Sequence, residues 1–209
     1  MSEKTILCYG DSNTWGWNPV TQSRYARPER WPGVLRQALG DGYLVIEEGL
    51  NGRTTVWDDP IEGYKNGKEY LIPCLETHKP IDLVIVMLGI NDLKMRFGVP
   101  ACDVAAGAGV LVDIVTKSET GPGDGAPKVL LIAPPPIAKL SDFAEMFEGG
   151  AAKSKMLSRH FRHVAEERGC ALLEASEIIV SSVVDGIHLD LSEHRKLGEA
   201  VAARVRKMI

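Results

Sequence analysis

The residues with the most chemical content in this chain are Gly10-Asp11-Ser12-Asn13, directly behind the apolar run Thr5-Ile6-Leu7-Cys8-Tyr9. A strand that ends in Gly-Asp-Ser puts a serine hydroxyl at a sharp turn on the carboxyl edge of a sheet, where open α/β sheets place their chemistry. An alcohol is a poor nucleophile at neutral pH, so Ser12 needs a base that removes its proton during attack. Asp185-Gly186-Ile187-His188 offers one. Asp185 lies close enough in one turn to hold the imidazole Nδ1–H and fix the tautomer, which leaves Nε2 facing Ser12. Two further blocks stand between, Gly49-Leu50-Asn51-Gly52-Arg53 and Gly89-Ile90-Asn91-Asp92, each after an apolar run.

The other histidines fit the role of base less well. His160 and His163 share one face of a long charged helix and read as solvated, His194 lies inside the last helix, and His78 sits in a polar turn. Structural roles are expected for all four. Asp11 and Asp92 read as acceptors that support their turns by taking backbone N–H groups. No convergent carboxylates or histidines with ligand spacing accompany them, so no metal and no cofactor is expected.

These blocks require a scaffold that brings strand ends together. Five short apolar runs read as strands: Thr5–Tyr9, Tyr43–Glu47, Leu83–Leu88, Val129–Ala133 and Ala171–Glu174. Leu83–Leu88 is apolar without alternation, which suits a central parallel strand covered on both faces. Helical patterns lie between. One has Pro32 near its first turn and Gly40 at its end; others run over Ala101–Lys117 and Ala151–Arg168, the latter stopped by Gly169. Ser192 reads as the N-cap of a last helix with Glu193 in its first turn. Alternating strands and helices imply a three-layer α/β/α domain, residues 1–209, around a central parallel sheet of about five strands with right-handed crossovers. Two irregular segments, Thr14–Arg30 and Thr54–Lys68, each follow a site block and read as pocket-shaping loops.

The 209 residues suffice for one α/β domain with a substantial core, and 44% apolar with 25% charged residues argues against disorder. A net charge of −4 with no basic block argues against nucleic acid or an anionic membrane as a partner. No signal peptide and no run long enough to span a bilayer is visible. Cys8, Cys74, Cys102 and Cys170 are widely spaced and form no C-x-x-C pair, so free thiols and a cytoplasmic protein are expected.

The four blocks, in this order, resemble the SGNH (GDSL-type) hydrolases, and the resemblance spans residues 8–190. It implies the flavodoxin-like fold of that family. It implies Ser12, Asp185 and His188 as catalytic residues, and an oxyanion hole made by the backbone N–H groups of Ser12 and Gly52 and the side-chain amide of Asn91. Asn13 stands where many members carry leucine. Gly10-Asp11-Ser12-Asn13-Thr14-Trp15-Gly16-Trp17 is similar to the bacterial arylesterase and acyltransferase branch, which implies a homo-oligomer. Trp15, Trp17 and Trp57 then become candidate substrate-binding residues. The expected activity is hydrolysis of small aryl or alkyl short-acyl esters through an acyl-enzyme, with transfer to alcohols or hydrogen peroxide as a side activity. The alternatives are a carbohydrate-ester deacetylase, a thioesterase or lysophospholipase, and a non-catalytic ligand-binding domain. Phe143, Met146 and Phe147 beside Gly149-Gly150 form an apolar cluster expected, with the 54–68 loop, to build contacts between copies.

Overall fold

A computed structural model describes residues 3–209. Among the described residues seven strands form, β1 (Lys4–Gly10), β2 (Trp17–Asn18), β3 (Ser23–Arg24), β4 (Tyr43–Gly49), β5 (Leu83–Met87), β6 (Lys128–Ala133) and β7 (Ala171–Glu174). Five of them make one sheet in the order β4-β1-β5-β6-β7, every pair parallel, while β2 and β3 form a small antiparallel ribbon beside it. The expected strands are all present, with bounds differing by one or two residues at their ends.

The period of two along a strand sorts the core onto two faces. Leu7, Tyr9, Val84, Val86 and Leu131 belong to one apolar cluster; Ile6, Cys8, Leu83, Ile85, Met87, Leu130 and Ile132 belong to the other. Every residue of β5 is buried, as a strand covered on both faces requires. Helices α3 (Gly67–His78), α4 (Ala101–Thr116) and α5 (Gly150–Arg168) contribute to the first cluster. Helices α2 (Trp31–Leu39) and α6 (Leu191–Val205) contribute to the second, packed against each other across Trp31, Leu35, Leu197 and Val201.

Local chemistry sets most helix ends. Pro32 stands in the first turn of α2, and Gly40 follows its last residue. Gly169 closes α5 in the left-handed conformation at φ 62°. Three expectations need correction. The N-cap of α6 is Asp190, not Ser192; its carbonyl accepts the Glu193 and His194 N–H groups, and Ser192 lies inside the first turn. The 54–68 segment is not irregular to its end, because α3 begins at Gly67, capped by the Asn66 side chain. His78 is therefore the last residue of a helix and not part of a turn.

Candidate active site

Register brings the site together. Gly10 pairs with Gly49 on one side and Met87 on the other, so the chains leaving β1, β4 and β5 emerge side by side at the carboxyl edge. The chain after β1 turns at once into the short helix α1 (Ser12–Trp15). Asp11 caps it by accepting the Asn13 N–H at 2.9 Å, and Gly16 ends it in the left-handed conformation. The turn is tight: a Cβ on Gly10 would collide with Thr14 Oγ1 and Met87 O, so only glycine fits before the Asp-Ser pair.

From the other side, the loop after β7 carries Asp185 and His188. Asp185 Oδ1 accepts the backbone N–H of Ile187 at 2.9 Å and of His188 at 3.0 Å, which folds the four residues into one turn. The loop is tied down by Ser182 N to His188 O and Ala138 N to Gly186 O, and by Asn13 Nδ2 to Ile187 O at 3.3 Å. His188 Nδ1 then lies 2.6 Å from Asp185 Oδ2, and Nε2 lies 2.9 Å from Ser12 Oγ. Burial pushes the Asp185 carboxyl up, but the His188 hydrogen bond and charge, with the two backbone N–H groups, outweigh it and hold the group below its ordinary value. It is therefore an anion facing Nδ1. This arrangement can deprotonate a serine hydroxyl and hold the imidazolium that results.

Gly52 and Asn91 both line the same cavity as Ser12 and His188, a space of about 170 Å³. Gly52 adopts φ 80°, which a side chain would strain. Asn91 Nδ2 donates one hydrogen to Arg53 O at 3.1 Å and approaches Asp11 Oδ2 at 3.5 Å. An amide has two donors, and the one facing Asp11 Oδ2 makes only a long contact that a ligand oxygen could replace. Burial pushes both Asp11 and Asp92 up to about 6. Asp92 accepts the Thr55 N–H at 3.1 Å and its hydroxyl, so it braces the 54–68 loop across the site and not its own turn.

The candidate tryptophans separate. Trp17 lines the cavity, with its ring 5.7 Å from that of His188. Trp15 stands behind Trp17 at 6.2 Å with the Arg24 guanidinium over its ring, and Trp57 packs against the core. Neither is among the residues lining the cavity. Phe143 and Phe147, expected at contacts between copies, also lie at the cavity. Phe147 is buried, and Phe143 lines the cavity with its ring edge-on to His188 at 6.1 Å, so the cluster faces the site.

Arg53 closes the second block, Gly49-Leu50-Asn51-Gly52-Arg53, whose sequence signals no role for it. Its Nη1 donates to Gly10 O at 3.0 Å and to Glu48 O, tying the ends of β1 and β4 together, while its guanidinium lies 4.1 Å above the Tyr9 ring. Two other residues of the cavity, Glu62 and Lys94, were not foreseen. Elsewhere the fold gathers Glu48, Cys74 and His78 within ligand distance of one another. There His78 Nε2 contacts Glu48 Oε1 at 3.0 Å, and burial, then the Glu48 charge, push the Cys74 thiol up to about 12. The trio is a histidine–carboxylate contact beside a protonated thiol.

A serine–imidazole–carboxylate chain at the carboxyl edge of this sheet, beside a glycine and an asparagine, defines the SGNH class of α/β hydrolase. The chain belongs to the GDSL-like Lipase/Acylhydrolase family, whose model matches residues 8–194. It is similar over 99% of its length to all of the Mycobacterium smegmatis aryl esterase, 45% identical with a TM-score of 0.95. It is similar over 99% of its length to all of a carbohydrate acetylesterase from Sinorhizobium meliloti, 43% identical with a TM-score of 0.95. A curated acetylxylan esterase of Xylanibacter ruminicola is 23% identical over 96% of this chain, which spans 43% of that protein's length. No helix among the described residues is long and apolar enough to cross a membrane.

Proposed function

We propose that this protein is a serine carboxylesterase that cleaves small, short-acyl esters through an acyl-enzyme. The observation that carries the reading is the unbroken chain Asp185 Oδ2–His188 Nδ1 and His188 Nε2–Ser12 Oγ, at 2.6 and 2.9 Å. Ser12 Oγ attacks the ester carbonyl as His188 Nε2 takes its proton, and the carbonyl π pair moves to oxygen. The Ser12 and Gly52 N–H groups and the Asn91 amide stabilise that oxyanion. The tetrahedral centre then expels the alcohol, which leaves with the proton from His188. Water, deprotonated by the same imidazole, repeats the cycle and releases the acid.

A cavity of about 170 Å³ suits acetyl or propionyl groups better than long chains. This argues against the lysophospholipase alternative, and the likeness to an aryl esterase and a carbohydrate acetylesterase favours esters of both alcohol classes. The test is turnover of p-nitrophenyl acetate, butyrate and octanoate by wild type and Ser12→Ala. Acetate is expected to lead, and Ser12→Ala to be inactive on all three. A preference for octanoate would overturn the short-acyl reading.

Trp17, Phe143 and Ile187 make one wall apolar, which favours acyl transfer to added alcohols over hydrolysis by water. With vinyl acetate and dilute benzyl alcohol, benzyl acetate is the expected product; free acid alone would leave a plain esterase. The active form is proposed to be a cytoplasmic homo-oligomer, for which the exposed Ile61 and Tyr64 of the 54–68 loop provide apolar surface. Light scattering reads this directly, and a mass near the chain's own 22.8 kDa would refute it.

A further inference from the structure

The cavity is lined by two unlike kinds of side chain. Besides the apolar side chains, Glu62 and Lys94 line it. Lys94 is only 4% exposed, and its ammonium is held by two carboxylates: Nζ donates to Glu62 Oε1 and lies 3.5 Å from Asp59 Oδ2. Asp59 is fixed independently. Burial pushes its carboxyl up, but the Glu62 and Ile61 backbone N–H groups, the Arg96 guanidinium at 2.9 Å and the Lys94 charge outweigh this and bring it to about 2. Lys94 therefore keeps an ionised partner whatever happens at Glu62.

That leaves Glu62 with a spare oxygen. Oε1 is engaged by Lys94, whereas Oε2 accepts no hydrogen bond among the described residues. Oε2 lies over the Cα of Gly52, so closely that a Cβ there would collide with it. The Glu62 side chain is 33% exposed, at the rim of the cavity. A carboxylate oxygen clamped beside a proposed oxyanion donor can take a charge-assisted hydrogen bond from a ligand hydroxyl. Its charge is offset by the adjacent ammonium, so it does not repel an oxyanion forming nearby.

We infer that Glu62 is a specificity-determining residue that reads the leaving alcohol, its Oε2 accepting a hydrogen bond from a second hydroxyl on that alcohol. The site then favours esters of neutral polyols over esters of apolar alcohols of the same size. This rests on the esterase reading above.

The test compares kcat/KM for 2-hydroxyethyl acetate with that for n-propyl acetate, in which a methyl group replaces the hydroxyl. In wild type the hydroxylated ester is expected to lead. In Glu62→Ala the ratio is expected to fall on the order of tenfold, the usual scale of a hydrogen bond to a charged group. In Glu62→Gln, which keeps an oxygen and loses the charge, the fall is smaller. An unchanged ratio in both variants overturns the inference while leaving the esterase reading intact. If Glu62→Ala does not fold, Glu62→Gln decides by the same ratio. A wild type inactive on both esters and on p-nitrophenyl acetate would overturn the esterase reading and this inference with it.

Discussion

Two buried histidines six residues apart behave in opposite ways. His188, on the loop after β7, has a carboxylate at Nδ1 and a hydroxyl at Nε2. His194, in the first turns of α6, is fully buried; Trp31 N–H donates to its Nδ1 at 3.3 Å, and Nε2 has no partner among the described residues. The Tyr25 ring meets it edge-on at 5.2 Å. Burial first, then the His188 and Arg30 charges, push His194 down to about 3. Both residues are buried, so burial does not make a base. What differs is the anion: Asp185 gives His188 a place to hold a proton, and nothing anionic does so for His194. One ring is arranged for proton transfer and the other is a neutral packing element.

Breaking each side of this comparison should have effects of very different size. His188→Ala should lower kcat by about 10⁴- to 10⁶-fold with the fold intact, since nucleophile and base act as a unit, whereas His194→Asn should stay within a few-fold of wild type. Near-normal turnover in His188→Ala would point to another base. Asp185→Asn should cost about 10⁴-fold in kcat by presenting the wrong tautomer to Ser12. Asn91→Ala, which removes a proposed oxyanion donor and leaves both histidines alone, should cost on the order of 10²-fold, in kcat more than in KM. A pure KM effect would mean that Asn91 only orients the ground-state ester.

The smallest effect is on stability, and its sign follows from the depressed His194 value. The unfolded ring takes a proton near its ordinary 6.5 and the folded ring near 3, so stability is present above 6.5 and is lost as pH falls through that window. Between about pH 7 and pH 5 wild type should lose about 2 kcal/mol relative to His194→Asn. Asp11 and Asp92, raised to about 6, act in the opposite sense, gaining stability as they protonate. They are common to both proteins, so the difference isolates His194. Parallel denaturant-midpoint profiles against pH would contradict this part of the account.

The sheet was legible because its central strands are buried on both faces and their apolar runs stand free of competing periodicity. The four site blocks were legible because sharp turns after strands restrict residue type, as the crowding around Gly10 and the positive φ of Gly52 show. Helix α3 was not, because it begins with a glycine and carries Pro73 in its interior, both signals of a break. It survives because the carbonyl that Pro73 cannot serve belongs to Glu69, which is exposed to water. The α6 cap was misplaced because Ser192 and Asp190 are both good cap residues, and the backbone at Asp190 decides between them. Trp15 and Trp57 share composition with Trp17 but not direction, which sequence spacing in a loop does not encode. Glu62 and Lys94 meet across 32 residues, and nothing local to either signals the other.

The central claim is that Ser12 is the nucleophile activated by His188, and covalent labelling tests it most directly. An alkyl fluorophosphonate incubated with the protein should add one adduct mass to the peptide containing Ser12, and both Ser12→Ala and His188→Ala should abolish or greatly slow that labelling. An adduct on another serine that persists at the wild-type rate in Ser12→Ala would contradict the account.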